Sequence, residues 1–176
     1  MIRAAGEEGH QPADIAVYGE SAGGALAAAA VLKLRDEGRR LPAAVVLWSP
    51  WSDLTDTGDT YATLRDADPL LNYPDNLKRC ADAYAKPSEQ KHPHVSPVYA
   101  DYTKGFPPTL IQVGTREILL SNSVRHYRAM EQAGVDVVLD VYEGMWHVFQ
   151  VLTHDIPEAD MARRKVRAFL DRHLGR

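Results

Sequence analysis

Four short apolar blocks stand out along the chain, separated by longer segments that are helical only in part. The blocks cover 14–18, 43–48, 109–114 and 135–142. The second and third are almost continuously apolar, which predicts strands buried on both faces; the fourth partly alternates. Between the first two blocks an Ala-rich run predicts a helix over 22–36, ended near Gly38. Residues 52–60 are rich in Ser, Asp, Thr and Gly and read as loop. Residues 61–86 read as helix in pieces, broken by Pro69 and Pro74. Five prolines, at 87, 93, 97, 107 and 108, make 87–108 mostly irregular. An amphipathic helix is expected over 121–133, closed by Gly134, and a last helix over 157–174 with Pro157 near its first turn.

Strands alternating with helices imply βαβ units. The predicted class is therefore α/β, a mostly parallel sheet of about four strands with flanking helices. The 176 residues are enough for one domain, 1–176, with a buried core. No internal repeat or low-complexity segment interrupts it.

Composition narrows the function classes. Apolar residues make up 45% and charged residues 25%, as in a soluble globular protein. A formal net charge of −4 gives no electrostatic reason to expect nucleic acid or an anionic membrane as partner. No apolar run is long enough to span a bilayer. Cys80 is the single cysteine, so no intrachain disulfide can form, which fits a reducing, cytoplasmic location. Glu7 and Glu8 fall where a signal peptide would need an apolar stretch.

The candidate chemistry begins at the end of the first block. Gly19-Glu20-Ser21-Ala22-Gly23-Gly24 follows a strand pattern and precedes a helix pattern, the context of a nucleophile elbow. Such a turn lifts the serine hydroxyl out of the sheet. Side chains at Gly19 and Gly23 are expected to collide with backbone. The following helix would aim its first N–H groups, Ala22 foremost, at an oxyanion beside Ser21. A Gly-Ser turn between strand and helix also occurs without catalysis, so the partners matter.

Serine needs a base, and the base needs an orienting acid. In α/β-hydrolases the chain order is Ser, acid, His. Glu117 follows the third block and His147 the fourth, both at C-terminal strand ends, where ligands bind in open α/β sheets. Glu117 is the favoured acid, the alternatives being an exposed carboxylate or an early residue of the next helix. Asp136 and Asp140 lie within a strand, and Asp155 comes after His147, out of order. His10, His92, His94, His126, His154 and His173 are expected at the surface or in loops. His92 and His94 have metal-like spacing without further clustered ligands, so no metal is implied. A triad reaction needs no cofactor. Trp48 reads as core, whereas Trp51, Met145, Trp146 and Phe149 could line an apolar acyl or alcohol pocket. Cys80 is expected to be buried or half-buried, not a nucleophile.

Four segments together resemble the C-terminal part of bacterial hormone-sensitive-lipase-family esterases. They are Gly19 to Gly24, Ser49 to Leu54, Gln112 to Ser121 and Gly144 to Phe149. The resemblance implies a partial α/β-hydrolase fold and hydrolysis of short- to medium-chain carboxylic esters. It implies Ser21, Glu117 and His147 as the triad, and a contribution of 60–86 to a cap. A homodimer through the last strand and helix is implied as well. Two departures stand out. The family's usual acid is Asp, with Glu an accepted variant, and Asn122 stands where many members carry a second acidic residue. The family's upstream His-Gly-Gly-Gly segment, source of most of its oxyanion hole, does not occur in these 176 residues. The resemblance therefore leads us to expect a truncated reading frame or a complementing N-terminal half in another chain. Weak activity or none, and self-association, are expected of the 176 residues alone. A non-catalytic remnant or binding module, and amide or acyl-transfer chemistry on the same fold, stay open at this point.

Overall fold

The computed structural model describes residues 9–153 and 155–175, so the Glu7–Glu8 reading and His154 lie outside it. The chain runs β1 (Ala16–Glu20), α1 (Ser21–Asp36), β2 (Ala44–Trp48), α2 (Thr60–Thr63), α3 (Lys78–Tyr84), β3 (Thr109–Gly114), α4 (Leu120–Gln132), β4 (Val137–Tyr142), α5 (Phe149–Leu152) and α6 (Pro157–His173). The four strands form one parallel sheet in the order β1-β2-β3-β4.

Strand character follows burial. Every residue of β2 and β3 is buried, as continuously apolar blocks require. Alternate side chains of these strands feed two cores. On one face Val45, Leu47 and Ile111 pack with Val31 and Leu32 of α1 and Met130 of α4. On the other, Val46, Trp48 and Leu110 pack with Phe169 of α6. Helices on both faces leave β1 and β4 as the sheet edges, and both are only partly buried. Tyr18 on β1 and Val138 and Val141 on β4 are exposed.

The sequence-based boundaries hold within one or two residues, with two instructive differences. β1 begins at Ala16 rather than Asp14, because Pro12–Asp14 form a 3₁₀ turn. It then runs on through Gly19 and Glu20, since Ala16 to Glu20 pair in register with Ala44 to Trp48. Pairing thus extends to the residue before Ser21. The short helix α5, directly after His147, was not anticipated.

The expected loop over 52–60 is pinned rather than free. Asp53 is fully buried, and its Oδ2 accepts hydrogen bonds from Arg125 Nη1 and Tyr99 Oη, both at 2.7 Å. Its Oδ1 accepts from Thr55 N, and Asp53 N donates to Asn122 Oδ1 at 2.7 Å. Asn122 Nδ2 in turn donates to Tyr61 Oη. The position following β2 is therefore fixed to α4 by a buried polar network.

Candidate active site

Ser21 opens α1 with φ +52°, a left-handed conformation that costs a residue with a Cβ and persists only where neighbours impose it. Gly19 imposes part of it. A Cβ there would lie 2.2 Å from the carbonyl oxygen of Gly23, so strand and helix approach too closely for any side chain. The same expectation for Gly23 is corrected: open space surrounds its Cβ position. Gly24 is the second tight site instead, 3.0 Å from Pro50 Cβ. Trp51 N donates to Ser21 O at 2.9 Å, which ties the loop after β2 to the elbow. Ala22 lies in the first turn of α1, beside Ser21.

Glu117 and His147 meet. His147 Nδ1 lies 2.9 Å from Glu117 Oε2, with Glu117 fully buried and His147 6% exposed. A carboxylate only accepts, so Nδ1 donates, and in the neutral tautomer with this contact the lone pair lies on Nε2. The other carboxylate oxygen, Oε1, accepts from Ser49 Oγ at 2.7 Å and from Gly114 N at 2.8 Å. Three donors surround a charge that burial would otherwise disfavour. The alternative of an exposed Glu117 is thereby removed.

The loops carrying these two residues are joined by backbone bonds. Thr115 N donates to Tyr142 O, Arg116 N to Met145 O, and Gly144 N to Thr115 Oγ1. At Gly114 a Cβ would sit 2.0 Å from Met145 O, so glycine is what lets the two loops touch. Ser21 Oγ makes no hydrogen bond among the described residues; such contacts often tighten only when substrate binds.

A cavity of about 300 Å³ opens beside the elbow. Its wall includes Ala22, Leu26, Trp51, Leu54, Cys80 and Tyr84. Of the four residues expected to line an apolar pocket, only Trp51 lies on this wall. Phe149 is fully buried and packs with Tyr142, Ala159 and Ala162, and Met145 and Trp146 pack against that cluster. The reason is α5, which turns Phe149 inward immediately after the histidine. Trp48 packs in the core as expected. Cys80 is exposed, contrary to expectation, because its helix presents it to the cavity mouth rather than to the core.

The remaining histidines divide. His126 was expected at the surface but is fully buried on α4, its Nε2 2.6 Å from Tyr102 Oη. Burial pushes its pKa down to about 3. Its burial shows only in the packing of α4, since the flanking sequence is polar. His94 Nε2 lies 3.0 Å from Asp36 Oδ2. Among the described residues no group of three or more His, Cys, Asp or Glu side chains could hold a metal. None of the described helices is long and apolar enough to cross a membrane. The residue that sequence reasoning missed is Ser49. It lies in the Ser49–Leu54 segment that shares in the family resemblance, but nothing in the sequence signals contact with Glu117, 68 positions away.

Comparison with known proteins places this geometry in a family. Residues 1–151 match the family model described as alpha/beta hydrolase fold. An acetyl-hydrolase of Streptomyces hygroscopicus is 38% identical over 93% of this chain and 54% of its own length. An esterase of Acinetobacter venetianus is 37% identical over 92% and 53%. The chain thus spans about half the length of the curated relatives it matches. Among solved structures, an esterase from the bacterial hormone-sensitive lipase family superposes with a TM-score of 0.92 at 37% identity, covering 98% of this chain and 57% of that one. A hormone-sensitive lipase from a metagenome library gives 0.91 at 35% identity, over 97% and 58%. With the parallel four-stranded sheet, the elbow and these matches together, the chain belongs to the α/β-hydrolase family, among the bacterial hormone-sensitive-lipase esterases, of which it represents a partial domain.

Proposed function

We propose that this chain carries the nucleophile, base and acid of a serine carboxylesterase acting on short- to medium-chain esters. The observation that carries the reading is the buried Glu117–His147 pair, on the same sheet edge as a Ser21 held in strained elbow geometry. Ser21 Oγ attacks the ester carbonyl while His147 Nε2 takes its proton. Glu117 holds the ring and stabilises the imidazolium that results. The tetrahedral oxyanion accepts a hydrogen bond from Ala22 N. On collapse His147 returns the proton to the leaving alcohol, and water, activated by His147 in turn, releases the acid and regenerates Ser21 Oγ–H. The apolar cavity beside Ala22 takes the acyl or alcohol chain, with Cys80 and Tyr84 bringing the 60–86 segment over it as a cap.

Relatives roughly twice as long support a further part of the reading. The remaining oxyanion donors come from an N-terminal half related to theirs, in the same or a second polypeptide. Each absent donor is expected to lower the rate by about 10²–10³.

The test is hydrolysis of p-nitrophenyl acetate, butyrate and palmitate by the 176-residue chain and by Ser21→Ala. Turnover that prefers butyrate to palmitate and disappears in Ser21→Ala supports the reading. Turnover above the uncatalysed rate that is equal in the two proteins, or faster cleavage of the matching anilide, contradicts it.

A further inference from the structure

Three residues other than glycine have left-handed backbone among the described residues: Ser21, Ser49 and Val148. Ser21 belongs to the elbow. The other two lie 99 positions apart in sequence and are bonded to each other. Val148 N donates to Ser49 Oγ at 3.2 Å, and Ser49 Oγ donates to Glu117 Oε1 at 2.7 Å. Ser49 is fully buried, directly at the C-terminal end of β2, and its own N donates to Gln112 O of β3 at 2.8 Å.

One hydroxyl at the end of β2 therefore joins the acid to the residue after the base. Its single proton goes to the carboxylate, because the backbone N–H of Val148 can only donate. With Gly114 N it occupies Oε1, which leaves Oε2 facing His147. As acceptor it holds Val148 at φ +52°, where a β-branched residue is disfavoured, and so fixes the peptide that follows His147. Ser49 sustains φ +44° itself, a conformation that glycine would take without cost. A serine kept at a position suited to glycine points to the hydroxyl as the group in use.

We propose that Ser49 is the positioning residue of this site, setting the rotation of the Glu117 carboxylate and the placement of His147 together. The proposal rests on the triad reading above for its kinetic consequence, but not for its geometry. Ser49 touches neither substrate nor reacting atoms.

The experiment compares Ser49→Ala, Ser49→Gly and Ser49→Thr in the 176-residue chain. The spectroscopic readout is the low-field proton resonance of the His147 Nδ1–H bonded to Glu117, which needs no turnover. Folding is followed by circular dichroism. The expected result is loss or marked upfield movement of the resonance in Ala and Gly with the fold kept, and its retention in Thr. Ester turnover is expected to fall about 10- to 100-fold in kcat for Ala and Gly, with KM within twofold, as for a lost hydrogen bond to a charged group. Glycine separates the two roles available to this position, since it relieves strain while deleting the hydroxyl. An unchanged resonance in Ala and Gly overturns the proposal. So does unfolding of both, which would make Ser49 a residue of stability alone. Turnover that survives Ser21→Ala overturns the triad reading instead and leaves the resonance result standing.

Discussion

The two halves of the candidate site rest on different foundations. Glu117, His147 and Ser49 sit at the ends of β2 and β3 and beside β4. There the loops are cross-linked by backbone bonds and the carboxylate is fully buried. Ser21 sits at the end of β1, an edge strand with an exposed Tyr18 and only partial burial along its length. The Glu117–His147 half is held by buried contacts. The Ser21 half is held by backbone contact, through Gly19 against Gly23 and Trp51 N against Ser21 O. Orientation of a charged pair calls for dry, fully bonded surroundings. Exposure of a nucleophile calls for a turn that cannot relax. A partial sheet supplies the first completely and the second at its margin.

Breaking the interior half is expected to have the largest effect. Gly114→Ala forces a Cβ into Met145 O and must separate the loops that carry Glu117 and His147. Its esterase kcat is expected to fall about 100-fold, the scale of an ångström-sized misplacement. A variant with wild-type kcat would show that the close approach is dispensable. Asp53→Ala removes a fully buried carboxylate from Arg125, Tyr99 and Thr55. We expect a loss of about 2–4 kcal/mol in urea unfolding, below the full buried-pair range because Arg125 is partly exposed. A loss under 0.5 kcal/mol would mean the loop after β2 is held by other contacts.

The next effect depends on pH. His126 stays neutral in the folded chain down to about pH 3, whereas the unfolded ring takes a proton near its ordinary value of 6.5. Between those limits the unfolded state binds more protons. Stability is therefore complete above pH 6.5 and falls as pH drops below it, by up to about 1.4 kcal/mol per unit. His126→Gln is expected to flatten this decline between pH 6.5 and 4, measured by urea midpoints. An equally steep decline in the variant would assign it to other groups. The smallest change concerns the edge half. Tyr18→Lys is expected to alter stability by less than about 0.5 kcal/mol, yet to reduce concentration-dependent association in sedimentation, because lysine discourages edge pairing. Association unaffected by the change would place any self-contact elsewhere.

How much of this was legible beforehand follows the same division. The interior strands announced themselves as continuous apolar blocks, and Ser21, Glu117 and His147 could be placed by order along the chain, because strand ends are local features. Gly23 and Phe149 were misplaced for a different reason. Whether a Cβ fits beside Gly23, or which way Phe149 turns, is decided by partners distant in sequence. The contacts of Ser49 and Asp53 are hidden on the same ground. Their partners, Glu117, Val148 and Arg125, come from segments that only the sheet brings together. His126 looked like a surface residue because its neighbours in sequence are polar, while the contact that accompanies its burial, with Tyr102, comes from a segment distant in sequence.

The central claim is that His147, oriented by Glu117, activates Ser21. Reaction with an alkyl fluorophosphonate tests it most directly, since phosphonylation of the serine needs an activated hydroxyl but not a complete turnover cycle. Intact-mass and peptide analysis are predicted to show a single adduct on the Ser21 peptide, none in Ser21→Ala, and labelling at least about 100-fold slower in His147→Ala. An adduct on another residue, or equal labelling rates with and without His147, would contradict the account.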